Sequence, residues 1–202
     1  MDLQSEKRLI EAARSDPLAF GQLYDAYYAR IANYLLHRLP QADTAQDLTS
    51  DVFFKAMTRL HTFTWRELSF SSWLYKIANN EIKMYYRKKE RSFFSLDWLW
   101  GEERFELPAS TDIEEEYVSA EEELARNQRF QEVQRHLLAL PLLYQEVLVL
   151  HFFEKLSLAE ISAISGKNLN TVKSLILRGK EKLRQKMDEN ERAAQAPGPA
   201  TF

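Results

Sequence analysis

Hydrophobic residues recur every three or four positions along most of the chain, which is the spacing of one face of an α-helix. In the first half this pattern predicts four helices: within residues 1–15, over residues 17–39, after Thr44 and from Phe70 onward. A loop at residues 61–69 separates the third predicted helix from the fourth. Because β-branched runs are few and the chain has only 5 Gly, the pattern favours an all-α fold.

A helix, a glycine-bearing turn and a second helix are predicted within residues 156–184. Ser157 and Glu160 have the spacing of a capping box, which marks the start of a helix. Gly166 permits a tight turn, and the second helix then runs to about Met187. Its predicted buried stripe consists of Val172, Ile176, Gly179 and Leu183, and its outer face carries Thr171, Lys173, Ser174, Leu177, Arg178 and Lys180.

This pair of helices is typical of a helix-turn-helix whose second helix enters the major groove of DNA. The alternative is an amphipathic helical hairpin with a solvated basic face. The pattern of this segment favours DNA binding, although short motifs also arise by chance.

The third predicted helix has an inner apolar face and an outer face that carries charge. We expect an inward-facing set of Leu48, Val52, Phe53, Ala56, Met57 and Leu60. Asp47, Asp51 and Lys55 fall four residues apart on the other side, where successive helical turns align them. The spacing of these three residues alone indicates an ordinary solvated face.

The fourth predicted helix combines cations, amides and aromatic rings on one face, beside an aromatic loop. The loop contributes Phe63 and Trp65, and the face consists of Ser72, Lys76, Asn79, Asn80, Lys83, Tyr86 and Arg87, followed by Lys88, Lys89 and Arg91. Cations neutralise phosphates and aromatic rings stack on exposed bases, so this combination is typical of a site for single-stranded nucleic acid. The alternative is an amphipathic helix whose aromatic residues belong to the core.

Composition bounds the class of protein. The chain has 202 residues, enough for two small domains, and its lack of cysteine excludes disulfides and thiolate chemistry. No apolar run reaches the length that spans a bilayer, and the first sixteen residues are charged rather than signal-like. We therefore expect a cytoplasmic protein without membrane insertion.

Charge is segregated along the chain. The formal net charge is +3 over residues 1–91, −9 over residues 92–126, +5 over residues 127–187 and −2 over residues 188–202. Two basic blocks on either side of an acidic, aromatic connector predict two domains that face polyanions, joined by a linker, with a disordered tail after residue 187.

Enzyme chemistry is the poorest fit to this sequence. The four histidines lack metal-ligand spacing, and the chain has no phosphate-cradling glycine loop and no nucleophile motif. His151 and Glu154 form a lone H-x-x-E, which is more often chance than a site. We expect no catalytic residue, no metal and no cofactor.

Two ordered groups of motifs resemble one protein family. Three segments resemble region 2 of bacterial sigma factors: FGQLYDAYYARIANYL, AQDLTSDVFFKAMTRLHTF and FSSWLYKIANNEIKMYYRKKER. Region 4 is resembled by LPLLYQEVLVLHFFEKLSLAEISAISGKNLNTVKSLILRGKEKLR. The order of these segments and the short linker are those of the extracytoplasmic-function (ECF) type, which lacks regions 1.1 and 3.

The resemblance implies a sigma factor that binds core RNA polymerase, at the β′ clamp helices and the β flap, and directs it to promoter DNA. The residues implied to contact the polymerase are Asp47, Asp51 and Lys55. Those implied to read the −35 duplex are Thr171, Lys173, Ser174, Arg178 and Lys180. Those implied to hold the opened −10 strand, including a flipped base, are Phe63, Trp65, Lys76, Asn79, Asn80, Lys83, Arg87 and Lys88.

The resemblance also implies regulation. Many members of the family are held inactive by an anti-sigma factor, so we expect such a partner. The acidic linker would enter the polymerase cleft, or its Phe93, Phe94, Trp98 and Trp100 would dock on one of the domains. Two other functions stay open: a stand-alone helix-turn-helix regulator of duplex DNA, and an interaction module that sequesters a partner.

Three positions depart from the family pattern. The usual acidic residue is replaced by Met84, and Glu81 stands one turn earlier on a face predicted to be inward, where we expect it to pair with a base such as Lys88. Leu175 stands where Arg is common, which removes one expected DNA contact. Gly179 replaces a usual Ala, at a cost of up to about 1 kcal/mol of helix propensity.

Overall fold

The computed structural model describes residues 2–65, 69–96 and 120–195. Every regular element within these ranges is helical. The helices are α1 (Leu3–Ala13), α2 (Pro17–Leu36), α3 (Ala42–Arg59), α4 (Phe70–Leu96), α5 (Ala120–Leu138), α6 (Leu142–Leu148), α7 (Leu158–Ser165) and α8 (Leu169–Gln195), with a 3-10 turn at Leu60–Thr62 and a π turn at Val149–Phe153. The chain divides into two compact units, the first of which holds α1–α4.

The first unit is built on α2, α3 and α4. Asp16 caps α2 by accepting a hydrogen bond from the backbone N–H of Leu18 (2.9 Å), and Pro17 occupies the first turn, where its missing N–H costs nothing. The core between the helices contains the fully buried Leu23, Ile31, Leu35, Val52, Ala56, Leu74 and Ile82. The predicted all-α fold is confirmed.

One predicted core position in α3 is wrong. Met57 is 47% exposed, whereas Thr49 is fully buried and donates to the carbonyl of Ala45 (2.7 Å). Thr49 and Val52 lie at the centre of the inward face, and Met57 lies beyond its edge. The pattern allowed a wide face, but α2 and α4 cover only its centre.

The second unit contains α5, α6, α8 and residues 158–162 of α7. Its core includes Leu137, Leu140, Val147, Leu148, Leu150 and Val172. Helix α8 continues to Gln195, so the disordered tail predicted from residue 188 is wrong over residues 188–195. Among the described residues, no helix is both long and apolar enough to cross a membrane.

The predictions for the connector and the chain end fall mostly outside the described residues. Helix α4 continues to Leu96, five residues beyond the predicted domain boundary, and α5 begins at Ala120, inside the predicted linker. The side chains of Phe93, Phe94, Trp98 and Trp100 lie outside the described part of the chain, as do residues 196–202.

Candidate nucleic-acid interfaces

Four polar side chains form one exposed row along α4. Lys76, Asn80, Lys83 and Arg87 are spaced four, three and four residues apart, which keeps them on one helical face, and all four are exposed. Arg87 Nε donates to the backbone carbonyl of Lys83 (3.2 Å), and the next residue, Lys88, is also exposed. We call Lys76, Asn80, Lys83 and Arg87 the α4 row; it keeps its cations and an amide in contact with solvent.

Asn79, which the sequence placed on the same face, lies underneath it. Asn79 is only 2% exposed, and its Oδ1 accepts a hydrogen bond from the Tyr34 hydroxyl (2.5 Å). Arg38, itself fully buried, donates through Nη1 to both Asn79 Oδ1 and the Tyr34 hydroxyl. The prediction that Asn79 lies on the outer face of α4 is wrong: one residue along a helix is a rotation of about 100°, which places Asn79 inward and Asn80 outward.

Ser72 and Tyr86 also depart from the predicted outer face. Ser72 is 1% exposed, and Tyr86 is half-buried, with its hydroxyl donating to the backbone carbonyl of Arg38 (3.2 Å). Burial is the main reason that the pKa of Tyr86 lies above its usual value, so the hydroxyl stays protonated and can donate. Both residues therefore help to fix α4 against the rest of the unit.

The aromatic loop before α4 is more deeply packed than its sequence indicated. Phe63 is 4% exposed, and its ring contacts those of Phe70 (5.5 Å between centroids), Trp73 (5.1 Å) and Trp65 (6.0 Å). The expectation of an accessible Phe63 ring is therefore wrong, since other rings surround it. Trp65 and Trp73 are half-buried and present the accessible aromatic surface beside the α4 row.

A second polar contact joins α3 to α4. Glu81 is 8% exposed, as its predicted inward face requires, but it forms an ion pair with Lys55 rather than with Lys88. Lys55 is thereby drawn toward α4 and is only partly exposed, so its predicted place on the outer line with Asp47 and Asp51 is wrong. The sequence pattern missed this pair because the residues are 26 positions apart.

The outer face of α3 keeps its two carboxylates and gains an aromatic ring. Asp47 and Asp51 are exposed, and Phe54 is 62% exposed. Since residues 47, 51 and 54 recur at four and three positions, they share one helical face. Sequence reasoning missed Phe54 because the pair Phe53–Phe54 reads as core, although only Phe53 is buried.

The helix-turn-helix is formed by local interactions that the sequence predicts. The backbone N–H of Ser157 donates to Glu160 Oε2 (2.8 Å), and the N–H of Glu160 donates to Ser157 Oγ (3.3 Å), which completes the capping box. Gly166 has a φ of +69°, a conformation that side chains disfavour. Asn168 then caps α8 by accepting from the N–H of Thr171 (2.8 Å).

The outer face of α8 is exposed as predicted. Lys173, Ser174, Arg178 and Lys180 are exposed, and Thr171 and Leu175 are half-buried. Leu177 is 72% exposed between them, so an apolar side chain stands in the middle of the basic face. The two units thus each present a helix with exposed cations.

Gly179 has a packing role that helix propensity does not describe. A Cβ built on it would lie 3.2 Å from Leu148 Cδ1 and 3.2 Å from Tyr144 Cδ1, both on α6. The glycine therefore permits a close approach of α6 and α8. Val172, fully buried two turns earlier, anchors the same inward face.

The described residues contain no group of three or more His, Asp or Glu side chains that could hold a metal ion. The chemistry of both exposed helices is that of phosphate neutralisation and hydrogen bonding. An all-α protein with a capped helix-turn-helix in one unit and a basic helix beside an aromatic loop in the other has the architecture of a two-domain DNA-binding protein.

Comparison with known proteins identifies the family. The family profile described as Sigma-70 region 2 matches residues 23–92, and the profile described as Sigma-70, region 4 matches residues 130–183. The RNA polymerase sigma factor YlaC of Bacillus subtilis (strain 168) is 31% identical over 169 residues, which are 83% of this chain and 91% of YlaC. The chain belongs to the sigma-70 family of RNA polymerase sigma factors, in its ECF type.

Further similarities agree with this assignment. The ECF RNA polymerase sigma factor SigW of the same organism is 29% identical over 187 residues, covering 93% of this chain and 98% of SigW. The fold is shared with the sigma factor RpoE of Bartonella quintana, solved in complex with the anti-sigma factor NepR (TM-score 0.63, 21% identity, 84% of this chain and 96% of that one). It is also shared with CnrH, solved with the cytosolic domain of CnrY (TM-score 0.62, 24% identity, 91% and 97%).

Proposed function

We propose that this sigma factor holds core RNA polymerase through α3, reads the −35 duplex with α8 and binds the opened −10 strand with α4. The observation that carries the proposal is the exposure of a cationic helical face in each of the two segments that match sigma regions 2 and 4. The chain itself would supply no catalytic group. Polymerisation would belong to the core enzyme, and the protein would act in the cytoplasm of a bacterium.

The −35 contact is proposed for the first three turns of α8. Lys173 and Arg178 would pair with phosphates or with guanine edges, and Ser174 would hydrogen-bond to a base or phosphate, each good base contact being worth about 1–3 kcal/mol of discrimination. Leu177, exposed at the centre of this face, offers an apolar contact to a thymine methyl group. Thr171 and Lys180 would extend the face at its two ends.

The −10 contact is proposed for the α4 row together with Trp65. Lys76, Lys83 and Arg87 would neutralise strand phosphates, with Lys88 as a further cation, and Asn80 would hydrogen-bond to an unpaired base. Flipping a base out of the duplex costs a few kcal/mol, which stacking on exposed aromatic surface can offset. Phe63 and Asn79 would contribute by supporting this surface rather than by touching the strand.

The polymerase contact is proposed for the outer face of α3. Asp47 and Asp51 would face a basic region on the β′ clamp helices, and Phe54 would provide the apolar centre of the interface. Lys55 would stay in its pair with Glu81. Asp51→Arg should therefore weaken the polymerase complex, and an unchanged affinity would return Asp51 to the solvated surface.

An anti-sigma factor is proposed as the regulator. Of two proteins that share this fold, RpoE was solved with the anti-sigma factor NepR, and CnrH was solved with the cytosolic domain of CnrY. A partner that covers α3 or α8 would block attachment to the polymerase or to the −35 duplex.

The proposal is tested by reconstituting the full chain with core RNA polymerase and selecting promoters from a randomised DNA library. Run-off transcripts should start at defined sites only when the chain is added. Arg178→Ala should lower occupancy of duplex −35 DNA roughly tenfold while leaving the polymerase complex intact. If the chain confers start-site selection on none of the core enzymes tried, the proposal is refuted.

A stand-alone regulator is the second candidate, favoured by the complete helix-turn-helix of α7 and α8. It would bind the selected duplex equally well without the polymerase and would not respond to Asp51→Arg. An interaction module that sequesters a partner would instead be indifferent to Arg178→Ala. The same set of variants therefore separates the three functions.

A further inference from the structure

Helix α1 contacts the aromatic loop although it precedes the residues that match the region 2 profile. Arg14, immediately after α1, donates from Nη2 to the backbone carbonyl of Phe63 (2.9 Å). Lys7, two turns earlier, places its Nζ 5.1 Å from the ring centroid of Trp65. These contacts reach Trp65 of the proposed −10 site and Phe63, which supports it, whereas the profile match begins only at residue 23.

Helix α1 is itself fixed to α2. Ile10 is 3% exposed, and Glu6, 6% exposed, accepts a hydrogen bond from the Tyr27 hydroxyl. Burial, and then the hydrogen bond to Glu6, raise the pKa of Tyr27, so this hydroxyl remains a donor over the neutral range. A helix held in this way can transmit its position to whatever its cations touch.

The first residues of the loop, 63–65, follow directly on the 3-10 turn at Leu60–Thr62. Phe63 N–H donates to the carbonyl of Leu60 (3.1 Å), and the Phe63 ring packs on Phe70 and Trp73 at the start of α4. From Phe63 the chain turns to Trp65, whose ring meets that of Phe63 edge-on. Arg14 therefore holds the backbone at Phe63, and Lys7 holds the half-buried indole of Trp65 two residues later.

We propose that Arg14 and Lys7 are positioning residues for −10 strand opening: they fix the Phe63 backbone and the Trp65 indole so that bases meet a preformed surface. This inference rests on the proposed function, since it gives a role to residues that would not touch DNA. A surface that is already ordered loses less conformational entropy when a base binds. Its loss should slow opening and reduce discrimination among −10 sequences.

The functional test compares Lys7→Ala/Arg14→Ala with Arg8→Ala in the full chain. Arg8 lies on α1 and is exposed, and it makes neither a hydrogen bond nor a cation–π contact with Phe63 or Trp65, so it controls for removing one positive charge from this region. The probe is a promoter selected by the wild-type holoenzyme, with a fluorescent adenine analogue in its −10 segment. The double variant should open it roughly tenfold more slowly, and Arg8→Ala within about twofold of wild type.

Further readouts distinguish positioning from general damage. Affinity for the polymerase and for −35 duplex should be unchanged in the double variant, and the preference for the selected −10 sequence over single-base variants should narrow. Lys7→Arg should open at nearly the wild-type rate because guanidinium also binds the face of an indole. The proposal would be overturned if Arg8→Ala slowed opening as much as the double variant does. It would also be overturned if the double variant lost polymerase affinity to the same extent as it lost opening rate.

A measurement without DNA keeps this inference separate from the proposed function. Hydrogen exchange of the Phe63 amide in the free chain should be roughly tenfold faster in the double variant and unchanged in Arg8→Ala. Unchanged exchange in both would overturn the positioning role even if promoters are opened. Wild-type holoenzyme could open no promoter while the exchange of the Phe63 amide still changes as expected. In that case the proposed function fails, but Arg14 and Lys7 still fix the loop.

Discussion

Helices α4 and α8 both present exposed cations, but they are held in place by different chemistry. Beneath the α4 row lie buried polar contacts between helices, from Asn79 to Tyr34 and Arg38 and from Glu81 to Lys55. Helix α8 is held by a side-chain cap, an apolar anchor and a close approach at Gly179. Helix α4 is positioned by polar contacts with distant residues, whereas α8 is positioned by a local cap and by apolar packing on α6.

This difference fits the different tasks proposed for the two helices. A flexible single strand adapts to its site, so the rotation of α4 and the neighbouring aromatic surface must be set by the protein. Buried polar groups that are satisfied in only one arrangement restrict helices to that arrangement. A duplex major groove is already shaped to accept a helix, so α8 needs chiefly to begin at the right residue and stay packed on its domain.

The largest effect is expected from Asn79→Ala, compared with Asn80→Ala. Asn79 Oδ1 accepts from the buried Arg38, and removing an acceptor from a buried charged donor costs about 2–3 kcal/mol. The free energy of unfolding, measured by urea titration, should fall by that amount. Asn80→Ala, one residue along on the exposed row, should stay within about 0.5 kcal/mol of wild type.

The same pair separates stability from function. Asn80→Ala should slow −10 opening, read from a fluorescent base, while leaving −35 binding unchanged. If Asn79→Ala were as stable as wild type, the polar support of α4 would not contribute to folding, and the contrast with α8 would lose its basis.

A smaller loss is expected from Glu81→Leu. Glu81 is nearly buried and Lys55 is partly exposed, so breaking the pair lets the ammonium regain some water, and we expect about 1–2 kcal/mol of destabilisation. A double-mutant cycle with Lys55→Met should give a coupling energy near 1 kcal/mol. Lys88→Met is the matched control. Coupling of Glu81 to Lys88 rather than to Lys55 would contradict the pairing in this structure.

The contrast between α4 and α8 also explains how well each helix could be predicted from the sequence. The capping box at Ser157, the turn at Gly166 and the exposed Lys173 and Arg178 were all predicted, because each depends on residues within one or two turns. Periodicity also gave the all-α fold and the stripe of Lys76, Asn80, Lys83 and Arg87.

Most of the wrong predictions concern the first unit, where packing partners determine which side chains are buried. Asn79 and Asn80 are adjacent amides, and only the position of α2 makes one of them buried. Phe63 was expected to be accessible because it lies in a loop, but α4 places Phe70 and Trp73 against it. Lys55 turned inward because Glu81, 26 residues later, lies opposite. No local pattern contains these facts.

An intermediate effect in the second unit is expected from Asn168→Ala. Losing its acceptor for the N–H of Thr171 leaves the start of α8 with one fewer satisfied donor, which costs about 1 kcal/mol. The free energy of unfolding should fall by that amount, and −35 affinity should fall with it because Lys173 and Ser174 lie in the first turns. Asn170→Ala, exposed two residues later, is the control for changing an asparagine. Equal losses in the two variants would show that the cap does not define α8.

The smallest effect, and the sharpest contrast of packing with propensity, is expected from Gly179→Ala and Gly21→Ala. Both glycines lie inside helices, where alanine gains about 0.5–1 kcal/mol through helix propensity and a less flexible unfolded chain. Nothing lies within 4 Å of a Cβ at Gly21, so that variant should be stabilised by this amount. At Gly179 the Cβ would press on Leu148, which is 2% exposed and has little room to move.

We therefore expect Gly179→Ala to lose about 0.5 kcal/mol instead, measured by urea titration of each single variant. Its −35 affinity should also fall slightly, because the added methyl group displaces α8 from α6 at the level of Arg178. Equal stabilisation of the two variants would mean that α6 yields without cost. The close approach at Gly179 would then be incidental to the position of α8.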